Sequence, residues 1–285
     1  MPDISTLTDD LDRAESLVPR LRAGCQKQVV WAGQPGAKTA LSVIFIHGFS
    51  ASCGELRPLP DLVAEGLGAN LFFTRLTGHG QDGAAMGEAT LQAWLDDTAE
   101  ALEIGQTIGD EVIVIGCSTG CTLTTLALTA GAQIKGFVQV SPNYGLAHRI
   151  AQAVLDAPFS DRWGHLVAGA TREFEVQSPG HAQFWTTRYP IRAVNPMGQA
   201  VRAAKAAKLE DLTTPTLAAF TETDQVVNAG SIHRVLKRWG GPVTHVPLVQ
   251  GPDDDAMGHV MAGDVFSPKQ TAPLAARIID WVRTL

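Results

Sequence analysis

A chain of 285 residues, 45% hydrophobic and 18% charged, carries enough apolar material for one large core, which excludes a disordered polymer. A formal charge of -7, with no basic run, excludes a partner gripped by its phosphate backbone, DNA or RNA. The four cysteines have no CxxC spacing and no Cys/His cluster, so free, buried thiols are expected rather than a zinc site or a disulfide framework.

The opening MPDISTLTDDLDRAESLVPR lacks the basic stretch and apolar run of a secretory leader, so a cytoplasmic protein is expected. KQVVWAG is a candidate early strand. From Ala40 the chain alternates two patterns. ALSVIFI, ending at His47-Gly48, is apolar throughout and predicts a strand buried on both faces. LRPLPDLVAEGLG predicts a helix stopped by glycine, NLFFTRL a second strand, and TGHGQDGAAMG a glycine-rich loop. Thr90 is a candidate N-cap for a helix in which Leu91, Trp94, Leu95, Thr98 and Leu102 recur at helical spacing. EVIVIG is a third strand, Thr119 to Ala130 a helix, and GFVQVSP a fourth strand.

After Pro142 the rhythm lapses. Residues 143–198 hold Tyr144, Phe159, Trp163, Phe174, Phe184, Trp185 and Tyr189, broken by prolines, with no strand of comparable quality. That is too long for an ordinary loop and predicts an insertion. Then come a helix over Gln199 to Leu209, the strand PTLAAFTETD, a helix over Ala229 to Trp239, the strand VTHVPLV and the closing helix KQTAPLAARIIDWVRTL. The expected class is α/β: a mostly parallel sheet flanked by helices, with a core over 1–142 and 199–285 and a cap over 143–198.

In an open parallel sheet, chemistry gathers at the carboxyl ends of the strands. Ser118 follows EVIVIG, Asp224 follows PTLAAFTET, and His259 lies in the loop after VTHVPLV. Ser118 is centred in Gly116-Cys117-Ser118-Thr119-Gly120, a G-x-S-x-G between strand and helix. Such a turn is so tight that the residues two before and two after the serine must be small, and it lifts the hydroxyl out of the sheet. The backbone N–H of Thr119, at the start of the helix, is then free to stabilise an oxyanion. The backbone N–H of Phe49, after His47-Gly48, is the second candidate donor. Cys117 is a rival nucleophile by chemistry, but the glycine spacing centres on Ser118.

Among the eight histidines, His233 falls in a helix and His245 in a strand, His79 in the glycine-rich loop, and His148, His165 and His181 in the insertion. His47 reads as a packing residue of its turn. His259 is the candidate base. Asp224 competes with Glu222 and with Asp253 to Asp255, a run most simply read as a solvated loop.

On His47-Gly48-Phe49, Gly78-His79-Gly80, the Gly116–Gly120 elbow, Asp224-Gln225-Val226-Val227 and Gly258-His259, the chain resembles the α/β-hydrolase superfamily from Ala40 to Leu285. Within it, the chain looks most like small bacterial carboxylesterases and monoacylglycerol lipase-like enzymes, which carry a helical cap where the insertion lies. The resemblance implies ester hydrolysis through an acyl-enzyme on Ser118, with His259 as base, Asp224 as its partner, and no cofactor or metal. A serine at the elbow sets the chain apart from the aspartate-using dehalogenases and epoxide hydrolases of this fold. C–C hydrolases, amidases, thioesterases and peptidases remain open, as does a non-catalytic ligand-binding role.

The expected partner is a small ester with a short-to-medium acyl chain, with no nucleic acid and no stable membrane insertion; a homodimer is left open. Tyr144, Trp163, Phe184 and Trp185 are candidates to line the substrate pocket. Their competing reading is the insertion's own core.

Overall fold

The computed structural model describes residues 2–157 and 169–285. Its centre is a seven-stranded sheet. The strands are β1 (Gln28–Val30), β2 (Thr39–Ile46), β3 (Asn70–Phe73), β4 (Gly109–Cys117), β5 (Gly136–Val140), β8 (Thr216–Phe220) and β9 (Val243–Pro247), in the spatial order β1-β3-β2-β4-β5-β8-β9. Only β1 runs antiparallel, against β3; the other pairs are parallel.

The unbroken apolar runs seen in the sequence are strands covered on both faces. Val43, Phe45, Ile113 and Ile115 enter one core, while Ile44, Ile46, Val112 and Val114 enter the other. This is the two-residue alternation of a pleated strand. The first core is closed by α2 (Leu59–Leu67) and α10 (Pro268–Val282) through Leu59, Val63, Leu274 and Ile278. The second is closed by α4 (Leu91–Ile108), α5 (Thr119–Thr129), α8 (Val194–Ala206) and α9 (Ala229–Arg238) through Trp94, Leu123, Ala200 and Ile232. Each such branched or aromatic side chain contributes about 1.5–3 kcal/mol by leaving water.

Helix ends follow local chemistry. Thr90 Oγ1 accepts the Ala93 N–H at 3.1 Å to start α4. Gly68, at φ 62°, ends α2 in the left-handed region.

Several elements differ from expectation. The glycine-rich stretch contains a short helix, α3 (Gly83–Glu88), because Asp82 caps it through the Ala85 N–H at 3.0 Å. Helix α8 starts at Val194 rather than Gln199. Pro196 does not prevent this, since first-turn N–H groups have no intrahelical acceptor to lose. The N-terminal segment also belongs to the body. Helix α1 (Leu7–Ser16) buries Leu7 and Leu11, and its Glu15 forms a buried two-pronged ion pair with Arg75, both bonds at 2.7 Å.

The described part of 143–198 holds α6 (Arg149–Asp156), α7 (Pro179–Phe184) and a two-stranded antiparallel sheet of β6 (Thr171–Glu173) and β7 (Arg188–Pro190). That small sheet was not legible as alternating hydrophobicity, because β6 is exposed along its length. The segment is tied to the loop after β2: the Thr186 N–H donates to Ser50 O at 2.7 Å, and Ser52 Oγ to Phe184 O at 2.9 Å. Among the described residues, no helix is long and apolar enough to cross a membrane, and the four cysteines are buried and free.

Candidate active site

Strand order reverses between β2 and β4: the chain moves outward from β2 to β3, then returns to the far side of β2. Ligands in open α/β sheets bind outside the carboxyl ends of the strands at such a switch point. The two loops that leave this point carry His47-Gly48-Phe49 and Ser118. Their register is set by the pairing of Ile46 with Gly116, which brings Gly48 level with Ser118.

Ser118 sits between β4 and α5 at φ 49° and ψ −110°. A non-glycine residue there costs roughly 1–3 kcal/mol, so the surroundings must hold it. They do so through backbone bonds. The Ser118 N–H donates to Val140 O at 3.0 Å, and Ser118 O accepts from Cys121 and Asn143, each at 3.1 Å. The flanking glycines are needed sterically. A Cβ on Gly120 would fall 2.0 Å from Ile46 O, and one on Gly116 would fall 2.9 Å from Cys121 N. Thr119 opens α5, where a first-turn N–H has no acceptor within the helix.

The loop after β2 is held from both sides of one residue. The Gly48 N–H donates to Glu55 Oε2 at 2.6 Å, and Gly48 O lies 2.9 Å from His47 Nδ1. The Leu76 N–H donates to His47 Nε2 at 3.1 Å, so Nε2 is unprotonated and Nδ1–H is the donor to Gly48 O. Burial pushes the His47 pKa down to about 4, so this imidazole stays neutral. Gly48 O and the Phe49 N–H belong to one peptide plane, and the bond from His47 therefore also orients the Phe49 N–H.

Asp224 and His259 meet through Oδ2 and Nδ1 at 2.8 Å. The other Asp224 oxygen accepts the N–H groups of Val226 at 2.7 Å and Val227 at 2.9 Å. Burial alone would lower the His259 pKa. The Asp224 carboxylate, with smaller contributions from Glu55 and Asp255, outweighs it and raises the pKa above 6.5.

Two acidic residues that sequence reasoning passed over are part of this neighbourhood. Asp255, read as part of a solvated run, is 6% exposed and anchors the histidine loop. It accepts the N–H of His259 at 3.0 Å, of Val260 at 2.8 Å and of Met257 at 3.1 Å. The available signal was its position four residues before His259, within reach of that loop's backbone donors. Glu55 had no such signal: it stands just before the stretch LRPLPDLVAEGLG, which reads as a helix.

His165 lies outside the described residues, and the remaining described histidines go elsewhere. His233 bonds Glu222 at 2.7 Å, His245 stacks on Phe220, His148 caps α6, and His181 packs between Phe174 and Phe266. His79 is buried against His47 and Trp94.

Of the aromatic candidates, Tyr144 is fully buried behind α5, its hydroxyl 2.7 Å from both Thr125 Oγ1 and Gln139 Oε1. The Phe184 ring lies over Gly54, where a Cβ would be 2.2 Å away, and Trp185 packs edge-on against Phe266. Both fasten the 143–198 segment to the body. Trp163 lies outside the described residues. Phe49, missed as an aromatic, places its ring 5.3 Å from Tyr189, which in turn meets Phe174.

A serine on a strained turn, an imidazole backed by a carboxylate, and backbone N–H groups on two adjoining loops are the parts that nucleophilic acyl transfer uses. Among the described residues, no cluster of His, Cys, Asp and Glu is placed to hold a metal.

Comparison with known proteins gives a family and a fold. The family described as "Serine aminopeptidase, S33" matches residues 37–251. A structure of the metagenome-derived lipolytic enzymes LipS and LipT superposes with a TM-score of 0.73 at 19% identity, covering 93% of this chain and all of that one. The monoacylglycerol lipase of Paleococcus ferrophilus superposes at 0.63 with 13% identity, covering 90% and 98%. A curated relative, the bassianolide nonribosomal cyclodepsipeptide synthetase of Beauveria bassiana, is 30% identical over 92 residues, which is 32% of this chain and 3% of the synthetase.

Proposed function

The chain belongs to the serine aminopeptidase S33 family of α/β-hydrolases, and we propose that within it the protein is a serine esterase acting on small esters with short-to-medium acyl chains. The observation that carries this reading is the 2.8 Å bond from Asp224 to His259, in a site whose elbow serine is held at φ 49°.

Ser118 Oγ attacks the ester carbonyl, and His259 Nε2 takes its proton. Asp224 keeps the other proton on Nδ1 and favours the imidazolium. The N–H groups of Phe49 and Thr119 receive the oxyanion. His259 then protonates the leaving alcohol, and a water activated by the same nitrogen hydrolyses the acyl-enzyme. Residues 143–198 serve as a cap over the core formed by 1–142 and 199–285, limiting access of water.

A free amino terminus, the mark of an aminopeptidase substrate, needs an anionic partner. Among the described residues, the carboxylates whose charge bears on His259 are Asp224, Glu55 and Asp255. Each is already turned to backbone or imidazole donors. This favours the ester over the peptide.

The test is kcat/KM across p-nitrophenyl esters from acetate to palmitate, with an aminoacyl anilide alongside. Specificity is expected to climb over the first carbons, by at most about 0.8 kcal/mol per methylene, and then to fall. An anilide that outruns every ester would replace the esterase with an amidase or aminopeptidase. A rise continuing to palmitate with activation at an oil surface would make it a lipase.

A further inference from the structure

Glu55 is 2% exposed, ends the short 3-10 turn Cys53–Glu55, and has no part in the reaction drawn above. Its surroundings join three pieces of the site. Its Oε2 accepts the Gly48 N–H at 2.6 Å. The Cys117 thiol, next to the elbow serine, lies within hydrogen-bonding interaction of the carboxyl. Its backbone is pressed by the loop that follows His259: a Cβ on Gly263 would fall 2.7 Å from Glu55 O. A Cβ on Gly48 would meet Glu55 Oε1 at 2.6 Å and Ser118 Cβ at 3.2 Å, so the carboxyl and the serine flank the same glycine.

A buried carboxyl is costly to keep, and an apolar side chain of the same volume is often as stable or more so. Burial already pushes the Glu55 pKa up to about 7. A group kept at that cost, and turned to the residue before an oxyanion donor, points to the geometry of that donor.

We propose that Glu55 is a positioning residue of the oxyanion site: by accepting the Gly48 N–H it fixes the loop that presents the Phe49 N–H to the developing oxyanion. His47 holds the carbonyl of Gly48, and Glu55 holds its amide, so both peptide planes around Gly48 are fixed. Either protonation form of the carboxyl retains an acceptor oxygen, so the role needs the acceptor and not the charge. The proposal rests on Ser118 forming a tetrahedral intermediate, as in the function proposed above.

The experiment compares Glu55→Gln, which keeps an acceptor oxygen, with Glu55→Leu and Glu55→Met, which remove it; the second apolar variant serves if the first does not fold. Ester turnover, the inhibition constant of a trifluoromethyl ketone that forms a hemiketal oxyanion, and the rate of fluorophosphonate labelling are measured for each folded protein. Glu55→Gln is expected within about threefold of wild type. The apolar variants should lose about 10- to 100-fold in kcat, with KM within about twofold, and the ketone should weaken by a matching factor. An apolar variant with wild-type kcat, a Glu55→Gln loss as large as the apolar one, or a kcat loss without weaker ketone binding would each overturn the proposal. A wild type that neither turns over esters nor is labelled at Ser118 overturns the functional reading beneath it, whereas a wild-type-like apolar variant in an active enzyme overturns only the role of Glu55.

Discussion

Gly48 and Ser118 stand side by side at the ends of neighbouring parallel strands, so close that a Cβ on Gly48 would fall 3.2 Å from that of Ser118 and 2.6 Å from Glu55 Oε1. The loop after β2 thus reaches Ser118 only because Gly48 has no side chain. Gly48→Ala must push the loop outward, and with it the Phe49 N–H. We expect kcat to fall by about 10- to 100-fold, with roughly 1–3 kcal/mol of overpacking destabilisation. Steady-state kinetics beside denaturant unfolding separates the two effects.

Ser118 holds a backbone conformation suited to glycine. Ser118→Gly is therefore expected to raise the melting temperature while abolishing fluorophosphonate labelling, because it relieves strain of roughly 1–3 kcal/mol and removes the proposed nucleophile. Cys117→Ala should still be labelled. Labelling that survives in Ser118→Gly, or vanishes in Cys117→Ala, would move the nucleophile to the neighbouring thiol.

The His259 pKa is raised above 6.5, burial working against this and the Asp224 carboxylate for it. To act as the proposed general base His259 must be neutral, so the acidic limb of kcat/KM should have its midpoint above 6.5, with activity rising as pH increases through it. The stability sign is opposite. A raised folded-state pKa contributes stability that is fully present below the unfolded value and is lost as pH rises through the folded value. Asp224→Asn should shift the acidic limb to lower pH and lower kcat. A pH–rate profile of both proteins checks this, and an unmoved limb would dissociate Asp224 from the base.

Asp255 gathers three backbone N–H groups around His259. Asp255→Ala leaves these buried donors unpaired, at a cost of about 2–4 kcal/mol, and lets the imidazole wander from Asp224. Activity should fall further than Asp255→Asn, which keeps an acceptor oxygen. Thermal melts and kcat of the pair provide the check; equal activity in both would make the anchor dispensable.

Tyr144→Phe removes a buried hydroxyl that bridges Thr125 and Gln139. About 1–2 kcal/mol of stability should be lost with kcat/KM unchanged across the ester series. An altered acyl-chain preference would return Tyr144 to the pocket.

What the amino-acid order alone determined were the features written in local patterns. Runs such as VIFI and VIVI, apolar at every position, can be satisfied only between two layers, so the parallel sheet and its flanking helices follow from them. The tight turn at Ser118 is likewise local, because Gly116 and Gly120 lie two residues from it and a side chain at either would strike backbone. The tertiary structure alone decided which charged groups turn inward. Asp253, Asp254 and Asp255 are chemically alike and adjacent, yet only Asp255 is buried, because the backbone donors of the His259 loop fold back over it. Glu55 becomes part of the site through contacts with Gly48, Cys117 and the chain around Gly263, a meeting across more than two hundred residues that no spacing encodes. Tyr144 and Trp185 look alike in sequence as aromatics of the insertion, but one is buried behind α5 and the other packs edge-on against Phe266. Periodicity reports which face of an element is apolar; it carries no information about which distant polar group meets that face, and that meeting is what sets the charge and hydrogen bonding of the site.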